Sequence, residues 1–246
     1  MASVFADRRG TLFATYRATL AVRDRLMGGT PKDPKIIQAW LRAKAGIEDA
    51  EEIRQALLRT LVELGAEVTP GMSYDELERA SEGLAASRNT NGFKREPGGL
   101  YVEGRTVKAM LRESVNILYA GERWGKTKKG PRSFFAERVF VDPDHVLLGT
   151  PEPAGVELFI GHVSGPQGPQ STLTYHEYVT RPTLEITVTV LRDEVTADQW
   201  PEIWLHAQEN GLGALRSQGF GRFDVTAWDR TATPDTARRL LATVGD

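Results

Sequence analysis

From Thr11 to Arg25 apolar and polar positions alternate: Leu12, Ala14, Tyr16, Ala18, Leu20 and Val22 fall on one face, and Phe13, Thr15, Arg17, Thr19, Ala21, Arg23 and Arg25 on the other. Side chains leave a strand on opposite faces in turn, so this run predicts one long half-buried strand. The turn Gly28-Gly29-Thr30-Pro31 ends it. The period then changes. Asp33 is placed to cap a helix with Pro34 at its first position, Ile36, Ile37, Trp40 and Leu41 on one side, and Gly46 at its end. A second helix opens on Glu48, Asp49, Glu51 and Glu52, acids suited to the positive end of a helix dipole, and buries Ile53, Leu57, Leu61 and Leu64. Ser73-x-x-Glu76 has the spacing of a reciprocal cap and predicts a third helix on Leu77, Ala80 and Leu84. Residues 86–99, with Asn89, Asn91, Gly92, Pro97, Gly98 and Gly99, show no period and read as a mobile connector.

Regular structure resumes at Leu100. Gly104 opens a helix reaching about Tyr119, with Val107, Met110, Leu111, Val115 and Leu118 inward. Strands are expected over 137–148, 156–163, 171–179 and 183–191, then a helix ending at Gly211, a strand Arg222–Trp228 and a short helix over 235–243. With 33–99 set aside, the order is strand, helix, strands, helix, strand. This is an α+β chain, with a ferredoxin-like (RRM-like) βαββαβ core, elaborated β-hairpins and a helical insert. Three stretches follow: 1–32 with the first core strand and turn, 33–99 as insert and connector, and 100–246 as the remainder of the core.

Composition changes this picture in two ways. No apolar run is long enough to span a bilayer, MASVFADRRG lacks the apolar segment of a signal peptide, and cysteine is absent, so a soluble protein of a reducing cytoplasm is expected. The formal charge of −2 argues against a uniformly basic nucleic-acid binder. The charge is unevenly placed, however. Residues 46–83 hold ten acids against Arg54, Arg59 and Arg79, so the rest of the chain is net basic.

Three segments carry chemistry. In Gly99–Arg112, the bases Arg105, Lys108 and Arg112 occupy the early turns of a helix, where a dipole alone would favour acids. Bases beside open helix N–H groups suit a phosphate arriving from outside. A surface helix with scattered bases would read the same way. Gly211–Phe223 is a glycine-rich loop in which Gly211, Gly213, Gly219 and Gly221 allow unusual backbone and close approach to a ligand. Arg216 and Arg222 add charge, and Phe220 and Phe223 could stack or pack. It has neither the Gly-Lys-Ser/Thr ending of a Walker loop nor the strand-to-helix position of a dinucleotide loop. Within the basic loop 122–138, Arg123, Trp124, Lys126, Lys128, Lys129 and Arg132 interleave charge with glycine and aromatic rings, as a loop gripping phosphates and a base would. Arg17, Arg23 and Arg25 on the outer face of the first strand offer further cations, or else a solvated sheet face.

Tyr101–Arg112, the hairpin region Thr172–Leu191 and the loop Gly211–Phe223, in that order, resemble the RAMP superfamily of CRISPR-associated RRM-like proteins. Glu103 and Ala109 depart from its pattern, standing where that family has a proline and a glycine. The resemblance implies a "Cas seven"-type backbone subunit. Arg105, Thr106, Lys108 and Arg112 would then contact the guide backbone, with Gly219, Phe220, Gly221 and Arg222 near the same strand, and 123–132 would be a thumb-like or target-facing loop. The partners implied are guide RNA, a target RNA or DNA met by base pairing, further copies of the chain in a filament, and other effector subunits. No membrane, metal or cofactor is expected. Two other functions stay open. A RAMP endoribonuclease would need an acid after the first strand, such as Asp24 or Asp33, or one of His145, His162, His176 and His206, whose spacing matches no metal motif. A structural protein of the same fold would use the acidic insert as its dock. The expectation is a non-catalytic RNA binder.

Overall fold

The structure is a computed structural model and describes residues 12–32, 50–63, 66–84, 90–124, 130–165 and 168–232. Strands β1 (Phe13–Val22), β2 (Arg25–Met27) and β3 (Thr30–Pro31) come first, then helices α1 (Ala50–Glu63) and α2 (Tyr74–Leu84). Strands β4 (Thr90–Gly92), β5 (Lys94–Glu96) and β6 (Gly99–Glu103) lead into helices α3 (Gly104–Leu118) and α4 (Pro131–Arg138). Five strands follow: β7 (Val139–Asp142), β8 (His145–Leu147), β9 (Gly155–Gly165), β10 (Gly168–Thr180) and β11 (Thr183–Leu191). Helix α5 (Gln199–Asn210) and strand β12 (Phe223–Ala232) complete the described chain. Two compact units result. The first gathers 1–24, 103–146 and 181–246, and the second 25–102 and 147–180.

The first unit is built on β1. Its buried positions meet buried positions of β11 in register: Ala14 opposite Val190, Tyr16 opposite Val188, Ala18 opposite Ile186 and Leu20 opposite Leu184. Equal period and matched register place one continuous apolar face on one side of the pair. β12 pairs antiparallel with the other edge of β1, and β7 antiparallel with β11, giving the order β12-β1-β11-β7. Numbered by occurrence within the unit, these strands lie in the order 4-1-3-2, with α3 between the first and second and α5 between the third and fourth. Helix α3 buries Val107, Met110, Leu111, Ser114 and Val115, a stripe at helical spacing, and α5 buries Trp200, Ile203, Trp204 and Ala207. The rings of Tyr16 and Trp228 stack at 4.6 Å with 2° between their planes, and Trp200 and Trp204 close on Trp228 at 4.9 and 5.5 Å. Tyr16 keeps its hydroxyl satisfied by donating to Asp193 at 2.6 Å.

The second unit holds the sheet β2-β10-β4-β3, with β9 paired along β10, and β5 pairs antiparallel with β6 over Lys94–Glu96. Ser73 and Glu76 cap α2 reciprocally: the Ser73 amide donates to the Glu76 carboxylate at 2.8 Å, and the Glu76 amide to the Ser73 hydroxyl at 3.3 Å. Leu57, Leu58, Leu61 and Leu77 bury the faces that α1 and α2 turn to each other. Lys32 and Glu177 form a buried ion pair, and Glu177 also accepts the Phe93 amide at 3.0 Å. A buried pair needs such extra hydrogen bonds to offset lost hydration.

Four expected elements change, and Leu118, expected inward on α3, is exposed. The first strand stops at Val22, because the chain bends at Arg23–Asp24 and Leu26 and Met27 are then both buried, which breaks the alternation. Residues 90–96 form strands rather than a loose connector. Thr90 and Asn91 pair with β10, and Gly92 lies so close to Gly28 that a Cβ on Gly28 would come within 2.5 Å of its carbonyl carbon. Pro131–Arg138 is a helix, started by a proline at its first turn and held by buried Phe134 and Phe135, so only the earlier part of the basic segment is loop. The strand expected over 137–148 is divided into β7 and β8 at Pro143, which has no N–H to continue a ladder. The helices expected over 33–46 and 235–243 lie outside the described residues. Among the described residues, no helix is long and apolar enough to cross a membrane.

Candidate nucleic-acid interface

The start of α3 is fixed by close packing. The Gly104 amide donates to the Asp144 carbonyl at 2.7 Å, and a Cβ at Gly104 would stand 2.4 Å from the Pro143 carbonyl oxygen. With the apolar stripe turned to the sheet, Arg105, Ala109 and Arg112 fall on the outer side of the helix and Lys108 on its flank, beside Phe140 of β7. Together with Glu103 and Thr106 they line an open groove of about 510 Å³. The first turn of the helix carries no acid, and Glu103 at the cap position makes no side-chain cap. Arg105 is 78% exposed and bonds Glu103 at 2.7 Å, an exposed pair worth under about 1 kcal/mol and readily exchanged for an incoming phosphate. Lys108 is half-buried, with its ammonium 4.9 Å from the centroid of the Phe140 ring. Burial, and secondarily the Arg112 guanidinium, lower its affinity for its proton.

The glycine-rich loop stands against the same helix. Thr106, Ala109, Met110 and Glu113 of α3 line a second, smaller groove of about 110 Å³ with Gly211, Leu212, Gly213 and Arg216. Arg216 bonds Glu113 at 2.7 Å, and this contact holds the Glu113 carboxyl below the usual range. Thr106 and Ala109 belong to both grooves, so the basic face of α3 runs on into the loop. The loop closes on itself, with the Leu212 amide donating to the Gly221 carbonyl at 2.9 Å. Gly211 has φ 81° and Gly221 φ 73°, and a Cβ on Gly221 would fall 1.8 Å from the Leu212 carbonyl oxygen. Two of the glycines thus serve loop closure rather than approach to a ligand. Gly219 has φ 89°, and a Cβ there would meet nothing within 4 Å, so its backbone faces open space.

The remaining candidates are dispersed. Arg17 is exposed on the outer face of β1, where Asp229 stands opposite it. Arg23 is held by Glu209 at 2.7 Å and Asp224 at 2.9 Å. Arg25 belongs to the second unit, where it pairs with Glu157 and lies over the Tyr178 ring at 5.5 Å. Arg123 and Arg132 are exposed, and Lys126, Lys128 and Lys129 lie outside the described residues. Trp124 is only 6% exposed. Its ring packs against Tyr119 at 4.8 Å and Phe134 at 5.9 Å, so it is a core ring rather than one offered to a base. Phe220 is half-buried, and Arg222 is exposed with Glu209 at 3.8 Å. His176 is buried, its Nδ1 2.8 Å from the Gly28 carbonyl. Two residues of the site were not expected from the sequence. Glu113 gave no signal, because its partner Arg216 is distant in sequence. Phe140 did give one: it is the outward apolar residue in the alternating run Val139–Asp142.

No family model matches this chain, and no curated protein sequence matches it. Solved structures do. The chain is similar to one in the cryo-EM structure of the type III-B Cmr-beta bound to cognate target RNA, with 11% identity and a TM-score of 0.44, over 92% of this chain and 63% of that one. It is also similar to Cmr6 from Pyrococcus furiosus, a crystal structure, with 13% identity and a TM-score of 0.37, over 87% of this chain and 98% of that one. This chain therefore spans 63% of the length of the first of these.

Proposed function

We propose that this chain binds RNA through the outer face of α3 and the adjoining glycine-rich loop, and that it serves as a guide-RNA-holding backbone subunit of an RNA-guided ribonucleoprotein. The observation that carries the reading is the meeting of two separately recognised segments at Thr106 and Ala109. Three cations, Arg105, Lys108 and Arg112, stand on two turns of that surface. The antiparallel 4-1-3-2 order with two helical crossovers supports a ferredoxin-like (RRM-like) identity for the first unit. In this reading affinity comes from phosphates, sequence is read by base pairing with a target, and copies of the chain line up along the guide beside other effector subunits in the cytoplasm.

The test is the triple variant Arg105→Ala/Lys108→Ala/Arg112→Ala, compared with the parent by circular dichroism and by RNA titration over a range of salt. The variant is expected to stay folded, because these side chains lie outside the apolar stripe. Its log affinity against log salt should lose about 2 units of slope, roughly 0.7 for each lost contact with single-stranded phosphate. A folded variant with unchanged affinity and slope would remove the α3 face from the interface.

A further inference from the structure

Phe140 is a large ring that the core of its own unit does not use. Its neighbours along β7, Val139 and Val141, are buried against the helices, while Phe140 points to the other face of the sheet and is 43% exposed. Phe13 of β1 meets it edge-on, with centroids 6.2 Å apart and 78° between the planes. The ring is thereby steadied, yet much of its surface remains open. Lys108 brings its ammonium to 4.9 Å from the ring centroid. That position leaves the ammonium partly desolvated, with the Arg112 guanidinium adding like charge. Asp142, exposed two residues further along the same face of β7, disfavours phosphate on that side, so a polyanion is directed to the α3 side of the ring.

We propose that Phe140 is a stacking platform for one base of a single-stranded RNA. Lys108 swings from the ring to an adjacent phosphate as the base takes its place. The proposal rests on the RNA-binding reading above and adds to it a subsite for a nucleobase. A nucleotide carries both groups the site needs, a π face for Phe140 and an anion for Lys108. Stacking on an aromatic ring tolerates any base, which suits a surface that holds a guide without reading it.

The experiment uses Phe140→Ala and Phe140→Leu, titrated with a short labelled single-stranded RNA. A matched series carries one abasic position moved along the strand. Leucine keeps an apolar side chain of similar reach and removes the π face, so it carries the test if alanine perturbs folding. Both variants are expected to bind the intact RNA about 5- to 150-fold more weakly, with an unchanged salt slope. Lys108→Ala should instead lower that slope by about 0.7. With the abasic position at the ring, parent and Phe140 variants should bind alike. If the parent binds RNA and Phe140→Leu binds as tightly at every abasic position, the stacking subsite is overturned and the α3 interface stands. If the parent binds no RNA at low salt, the interface falls and the subsite with it.

Discussion

Lys108 and Glu113 sit a turn and a half apart on one helix, and both titrations are shifted downward, for different reasons. For Lys108 the cause is burial beside a ring and near Arg112. For Glu113 it is the charge-assisted hydrogen bond from Arg216. The second case predicts a pH dependence. A carboxyl whose folded pKa lies below its unfolded one stabilises the fold above the ordinary glutamate value of about 4.3. That contribution disappears as pH falls through the lowered folded pKa. Arg216→Ala should therefore destabilise the protein by under about 1 kcal/mol at neutral pH, since the pair is partly exposed. The difference from the parent should vanish in acid. Denaturant titrations of both proteins from pH 7 down through the acid range would show it, and a difference that stays constant throughout would mean Arg216 acts through packing alone.

The glycine-rich loop shows what an element adds to its residues. Its glycines look equivalent in the sequence, and the fold gives them different work. Gly221 is pressed against the Leu212 carbonyl at the closure of the loop, whereas Gly219 has a left-handed backbone in open space. Gly219→Ala should cost only the backbone strain, about 1–2 kcal/mol, or a few degrees in melting temperature. Gly221→Ala should cost clearly more, since a Cβ has nowhere to go, and should release the loop from α3. Equal melting temperatures for the two variants would contradict the closure. Elements with a strong period were legible from the outset. The alternating run became β1, the stripe from Val107 to Val115 became α3, and the Ser73–Glu76 cap starts α2. The misread elements were decided by packing. Two buried phenylalanines turned part of a basic loop into α4, and the fit of Gly92 against Gly28 turned part of a connector into strand.

For the whole molecule, charge and stoichiometry matter most. The acids concentrate over 46–83, in the second unit, while the proposed interface lies on the first. A formal charge of −2 is therefore compatible with a locally cationic surface, and binding should weaken steeply with added salt although the protein is acidic overall. If the chain lines up along a guide, the number of copies bound should rise in whole steps as the RNA is lengthened. Native mass spectrometry over a ladder of RNA lengths measures this directly. A single copy at every length would leave an RNA binder that does not assemble along its ligand.

What the sequence alone determined were the features set by neighbours along the chain: the periods of β1, β11 and α3, the Ser73–Glu76 cap of α2, the start of α3 at Gly104, the end of α5 at Gly211, and the charge asymmetry. These depend on interactions within a few residues and leave a regular trace. The pairing of β1 with β11 and β12, the division into two units and the meeting of Thr106 and Ala109 with Gly211–Arg216 were decided by the tertiary structure. So were the partners of Glu113 and Lys108, and the burial of Trp124. Contacts of that kind join residues far apart in the chain, and which ring is buried and which is offered to solvent depends on what the other elements cover.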